Sequence, residues 1–362
     1  MSRILLTMAL AATLSSTLSA QVVVRRPGNN AADSLRATIA RLVDGHNAVE
    51  AHALLLRSGP AAVPLLAAEV ERDGPAAGAA LFVLVELGCD AAPAVPVLRR
   101  AALAEGTAAD RRADIERAIA AIDGPAMLLV PVYQENLVIE YDLAGNERRK
   151  VAFDNPWCAW PTSGDGVGAL CYGHGRIENR TWEGKELSRR AVPLTTAWCY
   201  EVGAADLVRS DFEGKGMFAR IDGEDEERWR VQCNALRVLP LVDGRVLVLD
   251  RGQHRLLVHT GDRQDAAIPV DDGCVGMRPL PGGGFLLSSA DKVIEVDAEG
   301  QQVREWTIGG RVHDAWLLRD GRLVVTTNSL VQMLDAEGKV LWKHDHRMSG
   351  PLFVRQPASG GR

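Results

Sequence analysis

Twelve side chains between residues 134 and 328 are of the types that hold hard cations or move protons. Gln134, His174, His254, Asp291 and Asn328 form one set, and Asp154, Asn155, Asn234, Asp271, Asp272, His313 and Asp314 form a second. Brought to one point, such carboxylates, amides and imidazoles could bind a divalent cation or act as general acid and base. Left apart, they are what any solvated loop contains. "WKHDHRM" adds His344 and His346, two apart and so on one face of a strand, which is half of a zinc site without a further ligand. The sequence holds no Gly-x-Ser-x-Gly elbow, phosphate-binding P-loop, His-Glu-x-x-His or Cys-x-x-Cys. The run Gly282 to Gly284 joins two strands and opens no helix, so it reads as a hairpin turn and not a phosphate cradle.

The elements that carry these residues repeat. A glycine turn recurs at Gly145, Gly184, Gly223, Gly261, Gly300 and Gly338, with spacings of 39, 39, 38, 39 and 38 residues. Each unit reads strand, Asp-Gly turn, strand, polar loop, strand, glycine turn, strand, as in Ala235 to Val270. Asp-Gly is a strong hairpin signal because both residues tolerate positive φ. It recurs at Asp165-Gly166 and Asp320-Gly321, with Gly283-Gly284 in its place in the fifth unit, and only the third unit, Ala197 to Gln232, lacks it. A period near 40 without helical patterning predicts a ring of six four-stranded blades, a β-propeller. The first unit begins at "AMLLVPVYQ", already its second strand, while "GPLFVRQ" (Gly350 to Gln356) is a spare strand at the other end. The spare strand is expected to fill the gap and clasp the ring, hiding its edges. In such a ring, the two sets of polar residues gather around the axis on one face. Trp229, Trp306 and Trp342 stand at similar places in their units and are expected in the core between blades.

From Ala31 to Gly124 the chain is alanine-rich and helical. Gly59 and Gly88 each end a helix, and Val63-Pro64 and Val95-Pro96 open the next. Stacked helical hairpins follow, with a more degenerate unit in "RRADIERAIAAIDG". Before them stands the charged start, apolar run and small-residue exit of a secretory signal peptide, residues 1–20, and then a linker, 21–30. Its apolar run is too short for a membrane span. Residues 125–356 hold the propeller and 357–362 form a disordered tail. The expected location is therefore periplasmic or extracellular, as a monomer without a transmembrane anchor. The net charge of −6 and the lack of a long basic block exclude binding to nucleic acid through its phosphates.

The six cysteines can oxidise after export, although a body of this size needs no disulfide staples. A second-blade turn centred on Gly164-Asp165 places Cys158 opposite Cys171. One centred on Asp165-Gly166, as in the other blades, makes Trp160 the partner of Cys171, and this register is favoured.

Three resemblances follow from these residues. The helical hairpins resemble HEAT-like repeats. "LVLDRGQHRLLVHTG", Leu247 to Gly261, resembles an NHL repeat, with Gln253 in place of the usual asparagine. Gly300 with Trp306, and Gly338 with Trp342, resemble the turn and outer-strand tryptophan of pyrroloquinoline-quinone-type propellers. The quinone itself is not expected, since its enzymes use eight blades and adjacent cysteines, and this chain has six units and no adjacent pair. No cofactor is expected, although a divalent cation could sit in the channel. Arm and ring together imply a binding or scaffold protein with a protein or polysaccharide partner. The alternative is a propeller enzyme of lactonase, hydrolase, sulfotransferase or oxidoreductase type with a channel-centred site. Fold alone does not decide between them.

Overall fold

The glycine and Val-Pro marks fall where the helices break. The computed structural model describes residues 29–44, 47–162, 165–202, 206–211, 217–222, 225–241, 245–280, 284–297, 300–350 and 352–356. The leader, most of the linker, the tail and Gly223 lie outside the described residues. Six α-helices come first: α1 (Asn29–Ala40), α2 (Ala48–Ser58), α3 (Val63–Glu71), α4 (Ala77–Leu87), α5 (Val95–Leu103) and α6 (Ala109–Ile122). Gly59 and Gly88 follow α2 and α4 at φ of 54° each, a conformation that costs other residues more. Pro64 and Pro96 sit in the first turns of α3 and α5, where a missing N–H leaves no bond unmade. Leu55, Leu66, Leu84, Leu98 and Ile115 form the core of this helical arm. The stretch Ala77–Leu103 is long and apolar enough to cross a membrane, but it is broken between α4 and α5 and more than half buried in the arm.

A six-bladed β-propeller follows. The first blade is β1 (Met127–Val132), β2 (Leu137–Tyr141) and β3 (Glu147–Ala152). The second is β4 (Pro156–Thr162), β5 (Gly166–Cys171), β6 (Arg176–Thr181) and β7 (Glu186–Ala191). The third is β8 (Thr196–Val202), β9 (Asp206–Asp211), β10 (Met217–Ile221) and β11 (Glu227–Gln232), complete despite lacking the Asp-Gly signal. The fourth is β12 (Ala235–Pro240), β13 (Val246–Asp250), β14 (Arg255–Thr260) and β15 (Arg263–Pro269). The fifth is β16 (Cys274–Pro279), β17 (Phe285–Ser289), β18 (Lys292–Val296) and β19 (Gln302–Thr307). The sixth is β20 (Val312–Leu317), β21 (Leu323–Thr327), β22 (Leu330–Leu334) and β23 (Val340–Asp345), after which β24 (Phe353–Arg355) joins the first blade in the order β24-β1-β2-β3. Leu129 pairs with Phe353 and Met127 with Arg355, so the spare strand closes the ring.

The repeated turns have a physical cause. The carboxylate of Asp142 accepts the backbone N–H groups of Ala144 and Asn146, and Asp335 does the same for Glu337 and Lys339. The glycine then takes positive φ, and at Gly145, Gly300 and Gly338 it lies against the outer strand of the preceding blade. Gly338 meets Trp306, and Gly145 meets Trp342, whose indole N–H donates to the Leu143 carbonyl at 3.1 Å. A Cβ at Gly145 would stand 2.8 Å from that indole. His344 and His346 are also used between blades. His344 stacks on Tyr141 at 4.8 Å and bonds the Gly145 carbonyl, and His346 bonds the Tyr141 hydroxyl at 2.7 Å.

The second-blade register matches neither sequence alternative. Thr162 pairs with Gly166, a register that sets Trp160 against Gly168 and Cys158 opposite Leu170, and a bulge at Trp157 then brings Cys171 opposite Pro156. Both cysteines are buried free thiols. A two-residue turn at either expected place would not pair Thr162 with Gly166, and the bulge adds a further shift only at Cys171.

Arm and ring meet at the clasp. The guanidinium of Arg355, on β24, donates to the carbonyls of Ala120, Ala121 and Pro125 at the end of α6. A cation there also complements the negative end of the helix dipole. The Gln356 carbonyl accepts the Cys89 N–H at 3.1 Å, and Arg319 bridges back to Asp90 and the Glu86 carbonyl. Replacing Arg355 with Met is expected to lower the unfolding free energy by about 2–4 kcal/mol in urea titrations. A loss below about 0.5 kcal/mol would place it among inert surface changes.

His259 lies between the third and fourth blades, 2% exposed and edge-on to Phe218 at 4.9 Å, and among the described residues neither ring nitrogen has a partner at full hydrogen-bond geometry, although the Asp262 backbone acts on the ring. Burial holds its pKa below the ordinary 6.5. The unfolded chain therefore takes the proton first, and stability is lost as pH falls below about 6.5 toward the folded-state value. The urea midpoint should drop between pH 7 and pH 5, less steeply in His259→Leu. Parallel slopes would show that His259 titrates alike in both states.

Candidate functional site

Inner strands β4, β8, β12, β16 and β20 carry a bulge at the same point, after Pro156, Thr196, Ala235, Cys274 and Val312. Beyond it, alternation along each strand brings equivalent residues into tiers. Cys158, Trp198, Arg237, Gly276 and Asp314 form an upper tier, and all are buried. Two residues further, Trp160, Tyr200, Leu239, Arg278 and Trp316 form a lower tier, and all are only partly buried.

The upper tier centres on Asp314, 1% exposed. Its carboxylate accepts Arg237 at 2.8 Å, Arg278 at 3.1 Å and the Leu352 N–H at 3.0 Å. Burial alone would push this carboxyl up, but the two guanidinium groups outweigh it and hold the pKa below the usual carboxylate range. Arg237 lies 4.5 Å over the Trp198 ring, and Arg278 lies 3.6 Å over the Trp316 ring. Arg278 also donates to the carbonyls of Ala315 and Leu352. Two guanidiniums thus share one carboxylate.

Below the lower tier opens a cavity of about 1680 Å³. Its propeller wall is the whole lower tier with Trp198 and Phe285, and its other wall is the arm, including Gly78, Phe82, Val85 and Ala118. Residues 78, 82 and 85 share one face of α4, which is why that helix roofs the space. The Tyr200 hydroxyl is pushed up to about 12 by burial, so it remains a proton donor at neutral pH. Trp229 packs edge-on against Phe218 and also reaches this wall.

Of the polar residues singled out by the sequence, Asp314 is the centre of the upper tier, Asp272 and Asp291 line a second, smaller pocket with Arg251 and Arg311, and the others lie away from the large cavity. On the opposite face, His174 bonds Asn155 at 3.2 Å, His254 lies 3.1 Å from Asp272, Asp271 faces Lys292 at 3.4 Å, and Asp154 pairs with Arg176. The backbone carbonyls of Asn234 and Asp291 accept the N–H groups of Arg251 and Ile308, and the Asn328 carbonyl accepts that of Met348. Gln134 approaches the Met348 sulfur at 3.9 Å. His313 and Asp314 lie on β20 itself and not in the loop before it. His313 is the bulge residue, its Nδ1 bonded to the Ser349 carbonyl at 2.8 Å and its pKa lowered mainly by burial. No group of three or more His, Cys, Asp or Glu that could hold a metal occurs among the described residues. At Asp314 the cationic partners are guanidinium groups. The lower tier was missed because its members share a position and not a chemistry. The signal was present, for Trp160, Tyr200, Leu239, Arg278 and Trp316 recur 40, 39, 39 and 38 residues apart.

No protein-family model matches the chain, and no curated protein matches it in sequence. Solved structures do. A protein of unknown function from Bacteroides caccae aligns over 64% of this chain and 99% of its own, at 13% identity and a TM-score of 0.50. A functionally unknown protein from Desulfotomaculum acetoxidans covers the same shares at 8% identity and 0.47. Virginiamycin B lyase from Staphylococcus aureus, as a catalytically inactive variant with quinupristin, covers 62% of this chain and 85% of its own at 12% identity and 0.42. At these identities the likeness is one of fold alone.

Removing the shared carboxylate should cost more than removing either cation. Asp314→Asn is expected to destabilise the chain by about 3–5 kcal/mol in urea, because two buried guanidiniums lose their counter-charge. Arg278→Met leaves a balanced Asp314–Arg237 pair and should cost less. The reverse order would show that the cluster is not held by charge.

Proposed function

We propose that the chain is an exported binding protein that holds its ligand inside, between a HEAT-like helical arm and the base of the propeller. The observation that carries this reading is the cavity of about 1680 Å³ walled by both parts of the chain. Ligand sites are concave, mostly apolar and common between domains, and those for drug-sized molecules span about 300–1,000 Å³. This space is larger. Every charged group that the propeller brings to the wall is an arginine: Arg220, Arg245, Arg278 and Arg319. Guanidinium stays protonated at physiological pH, which suits recognition and not proton transfer. In this reading the NHL-like and quinone-protein-like blades are scaffold, and the leader directs export. The partner is then an enclosed ligand in place of a protein or polysaccharide laid on an open surface, because α4 and α6 roof the base of the ring.

Gly78 provides the test. It lies near the start of α4 on the cavity wall, and a Cβ added there meets nothing within 4 Å. The uncharged fluorophore N-phenyl-1-naphthylamine should bind the intact chain saturably, with energy transfer from the cavity tryptophans. Gly78→Trp should keep the melting temperature and weaken binding roughly tenfold or more. Absence of saturable binding, or equal binding by the variant, would remove the cavity as the ligand site.

A further inference from the structure

The charges around Asp314 do not balance. Arg237 and Arg278 both bond its carboxylate, at 2.8 and 3.1 Å, so the cluster retains one positive charge within a mostly apolar surround. An uncompensated charge removed from water is costly unless a counter-charge reaches it. Arg237 is turned inward, donating to Asp314 and the His313 carbonyl. Arg278 faces the cavity. Its Nε and Nη2 are used by Ala315, Asp314 and Leu352, while its Nη1 makes no hydrogen bond among the described residues.

Tyr200, in the same tier, adds a second donor. Its hydroxyl stays protonated and likewise makes no hydrogen bond among the described residues, and its proton is influenced by the nearby Arg278 and Asp314 charges. Of the other arginines of the wall, Arg220 pairs with Asp206 at 2.7 Å, Arg319 with Asp90 at 2.7 Å and Arg117 with Asp114, and Arg245 also has a partner. Arg57, on the arm, is exposed to solvent, so Arg278 and Tyr200 are part-buried donors with unfilled positions on the propeller wall. The remaining wall is aromatic and aliphatic, from Trp160, Trp316 and Phe285 across to Phe82 and Val85.

We propose that the ligand is an anionic amphiphile, its acidic head bonded by Arg278 and Tyr200 and its apolar body lying between the aromatic tier and α4. This rests on the reading of the cavity as a ligand site and adds the chemical class. The head is an oxyanion. Guanidinium binds carboxylate and phosphate by the same forked geometry, so both belong to the class.

The test uses hexadecanoate, hexadecyl phosphate, hexadecanol and hexadecyltrimethylammonium, each displacing N-phenyl-1-naphthylamine from the full chain below its micellar concentration. One or both anions should bind roughly tenfold or more tighter than hexadecanol. Their ratio distinguishes the two head groups, and the cation should be weakest. Arg278→Met should abolish the preference for anions, read as the ratio of anion to hexadecanol affinity within the variant, with the fold kept because Asp314 retains Arg237. Tyr200→Phe should reduce the preference with the fold intact, and Arg278→Lys should restore part of it. Equal binding of anions and hexadecanol would overturn the proposed head site and leave the cavity reading standing. If even the neutral fluorophore fails to bind, both fall.

Discussion

Ring and arm depend on one short strand. Phe353–Arg355 pairs with β1 to complete the first blade, and the side chain of its last residue holds the end of α6 through three backbone carbonyls. A propeller without that strand would leave the first blade a strand short, its inner edge open along the axis. The helices without Arg355 and Gln356 would lose their main polar attachment to the ring. The next residue takes part as well: a Cβ on Gly88 would stand 2.7 Å from the Gln356 carbonyl, so close approach at the clasp requires glycine on the arm. Closure and docking are therefore one event, and the cavity between arm and base exists because of it.

The interior of the ring is organised by charge above and by aromatic surface below. Asp314 is fully enclosed yet ionised because two guanidiniums and a backbone N–H converge on it. Each guanidinium in turn lies over an indole, Trp198 or Trp316, whose π face attracts the cation. The cluster joins three blades and the segment leading into the closing strand. It both ties the inner strands together and sets the electrostatic character of the cavity's propeller wall.

Much of the fold was legible because the turns have strict local requirements. An aspartate that caps its own turn and a glycine at positive φ occur together in the first, fifth and sixth blades, with an outer-strand ring against the glycine in two of them, and the glycine turns leave a period near 39 in the sequence. The missing first strand and the spare last one were legible for the same reason. The β4–β5 register was not, because the pairing of Thr162 with Gly166 is not announced by the Asp165-Gly166 signal, and a bulge at Trp157 shifts the partner of Cys171 again. His313 lies on a strand when the sequence suggested a loop, because β20 begins at Val312. The candidate site was hidden for two further reasons. Its tier combines tryptophan, tyrosine, leucine and arginine, which share no chemistry, and its opposite wall comes from helices placed by contacts such as Arg355 to Ala120, distant in sequence.

The lower tier has a consequence for how such a chain can change. Each of five blades supplies one side chain from the same register position, and three of these side chains, Trp160, Tyr200 and Leu239, make no hydrogen bond across blades among the described residues. A substitution at one of these three alters a single sector of the cavity wall, whereas Arg278 is bonded to Asp314 and Leu352 and stacked on Trp316. The arrangement is combinatorial: selectivity can be rewritten one blade at a time, so relatives sharing this architecture can diverge in what they hold long before they diverge in shape.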